Sequence, residues 1–256
     1  MLLTDGSPNT TEDLRVYESA ILNVANMERI ELDVKLNLAT EEISEDILDL
    51  LLDHTRSSDP LSGMRRTLGV SDVVVTPQLK RWHAVHTLEI VYRDAFNNQL
   101  NDRYQAKSKE YHELSRNARE HTFRYGIGLV YTPIPEAQPP TFNFVEGPLP
   151  DTIYYVQVTW VGTGTNAEGA PSAETTYESP AGSVPVVTAV NPPAAAIGFN
   201  VYMGLKPGSE TLQNPSPIPL GSSFTLPPAG LVAGTPAGTG QIPDTYVVGG
   251  LMLRRG

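Results

Sequence analysis

Apolar positions change their period midway along the chain. From Leu14 they recur at Tyr17, Ile21, Val24, Leu32 and Leu36, mostly three or four apart, which predicts one long amphipathic helix. Thr10-Thr11-Glu12-Asp13 supplies its start. The Thr10 hydroxyl caps the first turn, Asp13 reaches back as in a capping box, and the acids suit the positive end of the helix dipole. A shorter helix is predicted from Ser44 to about Asp53, with Ile47, Leu50 and Leu51 on its buried side, followed by the turn-rich HTRSSDPLSG at 54–63. Thr76-Pro77 opens a third helix by placing a capping hydroxyl before a proline at the first helical position, where the missing N–H costs nothing. That helix runs to about Asn98. The next stretch predicts a fourth helix of about 40 Å at 1.5 Å per residue, stopped by Gly126. Its apolar stripe is Leu100, Tyr104, Tyr111, Leu114, Ala118 and Tyr125.

From Thr141 the period becomes two. TIYYVQVTWV (152–161) places Tyr154, Val156, Val158 and Trp160 on one face, as in a half-buried strand. GTGTNAEGAPS reads as a turn cluster, and AETTYES and VPVVTAV read as strands. GFNVYMG (198–204) sets Phe199, Val201 and Met203 against Tyr202, and SSFTL (222–226) adds another strand. Short strands at near-regular intervals argue for a β-sandwich over a parallel sheet. The fold class is therefore α+β in two domains, a long-helix bundle followed by an Ig- or fibronectin-like sandwich. The boundaries read as 1–135 helical, 136–144 a Pro-rich linker, 145–243 sandwich and 244–256 a C-terminal tail.

Composition narrows the chemistry. The absence of cysteine excludes disulfides and thiolate catalysis. The N-terminus lacks the pattern of a signal peptide, and no apolar run reaches the roughly 20 residues of a spanning helix, so a soluble, intracellularly made protein with no membrane partner is expected. The net charge of −11 is uneven: residues 1–79 hold 6 Lys/Arg against 15 Asp/Glu, whereas residues 80–124 hold 9 against 6. The first segment should repel nucleic-acid phosphates, and the second reads as a solvated helix face.

No catalytic or metal constellation emerges from spacing, and no cofactor is expected. His83 and His86 share a helix face with Glu89 one turn on, but no third ligand is specified, so packed or hydrogen-bonded histidines are the expectation. His112 and His121 do not extend the pattern. There is no nucleophile-elbow motif, and KPGSE (206–210) lacks the ending of a phosphate loop and reads as a turn. Trp82, Tyr104, Tyr111 and Tyr125 are expected to serve packing or subunit contact.

The strings LKRWHAVHTLEIVYRDA and NDRYQAKSKEYHELSRNAREHTFRYGIGLVYTPIP resemble the helical core of tailed-bacteriophage head–tail connector, or adaptor, proteins over roughly residues 10–135. YYVQVTWVGTGTNAEGAPSAETTY and FNVYMGLKPG are similar to strands of fibronectin type III domains. Their order is reversed relative to that domain, which leaves a permuted or an Ig-like topology open. The resemblance implies a virion structural protein of the neck, a homo-oligomer of twelve subunits in a ring. Its implied partners are the portal protein, tail or neck proteins, and double-stranded DNA passing without sequence-specific binding. The alternative is a binding module whose sandwich recognises a surface glycan or protein, for neck decoration or fibre attachment. Family adaptors grip the portal with C-terminal tails, which makes Leu251, Met252, Leu253, Arg254 and Arg255 the candidate docking residues; the plain reading of 244–256 is a final sandwich strand with a short loose end. Limited proteolysis is expected to cut first within PIPEAQPP (133–140) or in the 54–63 turn; first cuts within 80–124 would contradict the division into two domains.

Overall fold

The computed structural model describes residues 1–57, 67–99, 102–164 and 166–248. Leu100, most of the 54–63 turn and Leu251–Arg255 lie outside the described residues. The chain has an N-terminal helical region and a C-terminal antiparallel β domain, and it divides into two compact units. One comprises Leu3–Val130 and the stretch from Pro243 on; the other comprises Tyr131–Ile242 with Met1–Leu2.

The helical unit contains α1 (Thr11–Tyr17), α2 (Ile21–Glu28), α3 (Leu32–Ser57), α4 (Pro77–Gln99) and α5 (Asp102–Tyr125). The Thr10 capping box forms as expected, with the Asp13 amide donating to Thr10 Oγ1 at 3.2 Å and the Thr10 amide donating to Asp13 Oδ2 at 2.9 Å. The single long helix expected from Leu14 to Leu36 does not form. Its path breaks at Glu18, which adopts an extended backbone, and at Arg29, which caps α2 in the left-handed region at φ 55°. The first break is held by charge: the Glu18 carboxylate takes Lys107 Nζ at 3.0 Å and the Tyr111 hydroxyl at 3.1 Å. The shorter helix expected at 44–53 is instead the second half of α3. Ala39 and Ile43 join Leu32 and Leu36 to Ile47 and Leu51 in one uninterrupted buried stripe.

The third helix is α4, and it is the centre of the unit. The Leu79 amide donates to Thr76 Oγ1 at 3.3 Å, the predicted cap. Beyond that turn Trp82, Ala84, Val85, Leu88, Ile90, Val91, Tyr92 and Ala95 are all buried, against α1, α2, α3 and α5. Burying nearly every side of one helix is the main apolar gain of the unit. Gly126 ends α5 at φ 101°, a conformation that favours glycine, and its amide donates to the Thr122 carbonyl at 2.9 Å. The chain then enters β1 (Ile127–Leu129).

The β unit contains β2 (Thr141–Glu146), β3 (Thr152–Val161), β4 (Thr175–Ser179), β5 (Ser183–Thr188), β6 (Gly198–Gly204), β7 (Thr211–Leu212), β8 (Ile218–Pro219) and β9 (Phe224–Thr225). One sheet has the order β2-β5-β9 and the other β4-β3-β6-β7, with β8 also paired to β6; every pairing is antiparallel. The predicted inner faces of β3 and β6 meet in register as Trp160↔Phe199, Val158↔Val201 and Val156↔Met203. They share one core with Val184, Val187 and Phe224 of the first sheet, which makes the unit a sandwich. Sequence reading missed β2, β7 and β8, whereas the strand expected at 222–226 is β9. NAEGAPS, expected to be only a turn, runs beside the second half of β3: the Gly169 amide donates to the Trp160 carbonyl and the Ser172 amide to that of Val158.

A final strand, β10 (Thr245–Val247), pairs with β1 and not with the sandwich, in the register Ile127↔Val247. The β unit is thus inserted in sequence between two paired strands of the helical unit. Trp82 lies in the core beside that pair, its ring 5.5 Å from Phe123 in an edge-on contact, and its indole N–H has no partner among the described residues. With no polar bond to lose, Trp82→Ala should cost the pure packing price of about 3–5 kcal/mol, read as a lower denaturant midpoint at unchanged far-ultraviolet dichroism.

Candidate functional site

The residues with chemical capacity converge inside the helical unit, where α3, α4 and α5 face one another. His83 is fully buried. Asn9 Nδ2 donates to its Nδ1 at 3.0 Å, so the ring proton sits on Nε2, which donates to the Leu36 carbonyl at 3.0 Å with the Thr40 hydroxyl equally close. Burial, with the neighbouring His86 adding to it, pushes its pKa down to about 4, so the ring is neutral at pH 7.

His86, one turn on, has the opposite character. Its Nε2 lies 2.8 Å from Glu42 Oε2 on α3, and its Nδ1 lies 3.2 Å from Glu89 Oε2 and 3.0 Å from Ser115 Oγ on α5. Burial alone would lower its pKa, but hydrogen bonds and charge from Glu89 and Glu42 outweigh that and raise it. Glu89 also takes His112 Nδ1 at 2.8 Å through its other oxygen. Burial would raise the Glu89 carboxyl, yet the hydrogen bonds from His86, His112 and Ser115 hold it down at about 2. A hydrogen-bonded chain therefore runs Glu42–His86–Glu89–His112 across three helices. Beside it Arg119 clamps Asp46 with two bonds of 2.8 and 2.9 Å.

Ser115, His86 and Glu42 are the residue types of a nucleophile–base–acid relay, but the geometry opposes that use. Ser115 is buried in mid-helix, where the backbone amides that would stabilise an oxyanion are spent on the helix ladder. Both ring nitrogens of His86 face carboxylates, Nε2 Glu42 and Nδ1 Glu89, and the raised pKa disfavours the neutral ring that a base would need. Among the described residues, no group of three or more His, Asp or Glu side chains is arranged to hold a metal ion. The spacing of His86 and Glu89 was visible in sequence; the arrival of Glu42 and Ser115 from other helices was not.

The aromatic candidates divide. Tyr104 and Tyr111 are buried within their own unit, donating to Glu28 Oε1 at 2.8 Å and to Glu18 Oε2 at 3.1 Å, and Tyr111 stacks on Tyr92 with ring centroids 5.4 Å apart. Trp82 is core. Tyr125 is 64% exposed and stacks on His121. These last two line an open groove of about 440 Å³ with Gln78, Arg81, Leu114 and Asn117.

In the β unit, Glu168 Oε1 accepts from Thr159 Oγ1 at 2.5 Å, Tyr202 Oη at 2.7 Å and Asn200 Nδ2 at 2.9 Å. This cluster pins the NAEGAPS stretch over the outer face of β3 and β6. KPGSE is a turn, and its Gly208 amide faces Glu174 and Glu210 carboxylates at 2.9 and 3.1 Å, which fills the place a phosphate would need. Among the described residues no helix is long and apolar enough to cross a membrane.

The two histidines give the unit a pH signature. The stabilisation from the raised pKa of His86 is complete below its unfolded value near 6.5 and is lost as pH rises through its higher folded value. His83, depressed to about 4, works on the other side: the unfolded state binds the proton more readily, so stability falls as pH drops from about 6.5 towards 4. The urea midpoint should peak near pH 6.5. His86→Gln should flatten the alkaline side, and His83→Gln the acid side.

Compared with known proteins, the chain matches no family model and no curated sequence, so its function has to be argued from its own residues.

Proposed function

We propose that the chain is a virion structural protein, a head-to-tail adaptor that packs side by side into a ring under the portal of a tailed bacteriophage and joins it to neck or tail components. The observation that carries this is where the polar chemistry goes. The histidines, carboxylates and serine that could act on a substrate are consumed in fastening α3, α4 and α5 together, while the outer flanks of α3 and α5 keep exposed apolar and charged side chains. A block locked inside and unsatisfied at its sides suits repeated contact between copies, which closes into a ring when the rotation fits. The acidic excess of residues 1–79, where it faces the channel, would let DNA slide past without sticking. The twelvefold number and the portal as partner rest on the resemblance of the helices to adaptor proteins.

A second role is favoured by one strand. β2 pairs only with β5 and leaves Phe144 and Val145 exposed on a sheet edge, the kind of surface to which a partner strand or glycan-bearing surface attaches. In the adaptor reading this makes the sandwich a neck decoration or fibre attachment point.

Mass photometry and negative-stain images of the full chain, alone and with purified portal, test the proposal. Rings seated on portal are expected. Deleting residues 249–256, which removes Leu251, Met252, Leu253, Arg254 and Arg255, should leave a folded protein that no longer binds portal. Portal binding unchanged by that deletion would remove the docking role of the tail, and small oligomers with no ring on portal would overturn the adaptor reading.

A further inference from the structure

Two exposed faces of the helical unit carry matching patterns. On α3 the side away from the buried stripe carries Val34, the half-buried Leu38, Glu41, Glu45, Leu48 and Leu52. Their spacing alternates four, three, four, three, four, which is the seam of a helix that packs along another helix. Val34 is 54% exposed, and Leu48 and Leu52 more than a third. The seam is apolar at its ends and acidic in its middle, where Glu41 and Glu45 have no ion-pair partner among the described residues. A partner must therefore present apolar groups at two ends and positive charge between them.

The α4–α5 groove has that arrangement. Leu114 and Tyr125 are exposed along its α5 wall, and Arg81 and His121 share the same groove. Arg81 has no ion-pair partner among the described residues. At 1.5 Å per residue, Leu114 and Tyr125 are about 16 Å apart along α5, and Leu38 and Leu48 about 15 Å apart along α3. The two faces are also separate. At 100° per residue, Leu114, His121 and Tyr125 lie on the flank of α5 opposite Arg119, and Arg119 is the side that binds Asp46 of α3.

We propose that the outer seam of α3 in one copy seats in the α4–α5 groove of a second copy of this chain, with Glu41 and Glu45 facing Arg81 and His121. The contact joins different faces, so each copy keeps one free donor face and one free groove, and the array grows until it closes. Whether it closes as a ring rests on the adaptor reading; the contact itself does not.

The lack of native cysteine makes the test clean. Tyr125→Cys is combined with Leu48→Cys in one full-length variant and with Leu38→Cys in another, since the seam can lie in either direction, and each is treated with a short bismaleimide. One double variant should give a ladder of dimers, trimers and higher species, while each single-cysteine variant gives none. A dimer from Leu48→Cys or Leu38→Cys alone would mean that α3 pairs with α3 and would overturn the proposal. Separately, Glu45→Lys or Arg81→Glu should abolish multimers at concentrations where the parent forms them, and the two reversals in one chain should restore them. Single reversals without effect, or a chain that stays monomeric up to about millimolar concentration, would overturn it. The outcomes separate the two ideas. Rings without the cross-link keep the adaptor reading and sink this contact, whereas a cross-linked open filament keeps the contact and sinks the ring.

Discussion

A histidine held between two carboxylates, with three helices closing over it, is the interaction on which the helical unit depends. His86 cannot be removed alone without leaving Glu89 charged and half-stripped of partners in the bundle, and Glu89 cannot be removed without exposing His86 to the same fault. Breaking one side of such a pair is usually far more costly than the pair is worth, because the desolvation of the survivor is no longer offset. The chain Glu42–His86–Glu89–His112 therefore sets which turn of α3 meets which turn of α4 and α5. The apolar stripes around α4 supply the gain in free energy but would tolerate a slip of one turn; the charges would not.

That division of labour also explains what could be read before the structure. The stripe of α5, the cap at Thr76 and the inner faces of β3 and β6 follow from period and capping chemistry, which are local. The break at Glu18 is not local. Its cause is Lys107 and Tyr111, far along the chain on α5, and the stripe through Leu14, Tyr17 and Ile21 continues across it without interruption. The merging of the second helix into α3 was legible in Ala39 and Ile43, which a search for large apolar residues passes over. β2 carries Phe142 and Phe144 in alternation, but its exposure on a sheet edge gives it little patterning on the other side. For the polar cluster, the His83–His86 spacing marked the right turn of α4 while hiding that the two rings are shifted in opposite directions, His83 down by burial and His86 up by Glu89 and Glu42.

The sandwich solves a different problem with a similar device. Its apolar face is filled by register, Trp160 against Phe199 and Val158 against Val201, and its outer face is closed by Glu168, which collects three donors and holds the NAEGAPS stretch along β3 where β4 has ended. In both units one carboxylate with several donors fixes a segment whose backbone pattern alone would leave it loose.

The pairing of β1 with β10 bears on how such a chain can change over time. The backbone leaves the helical unit after Val130 and is back at Asp244, whose amide donates to the Leu129 carbonyl at 2.8 Å. To the helical unit the whole intervening domain is a single surface loop with its two ends already together, and the entropy of closing a loop rises only slowly with its length. A folded insert with neighbouring ends costs the host little more than a short hairpin. The sandwich can thus be exchanged, enlarged or lost as a cassette, with selection acting on its outer surface while α1 to α5 and the strand pair that receives it stay as they are.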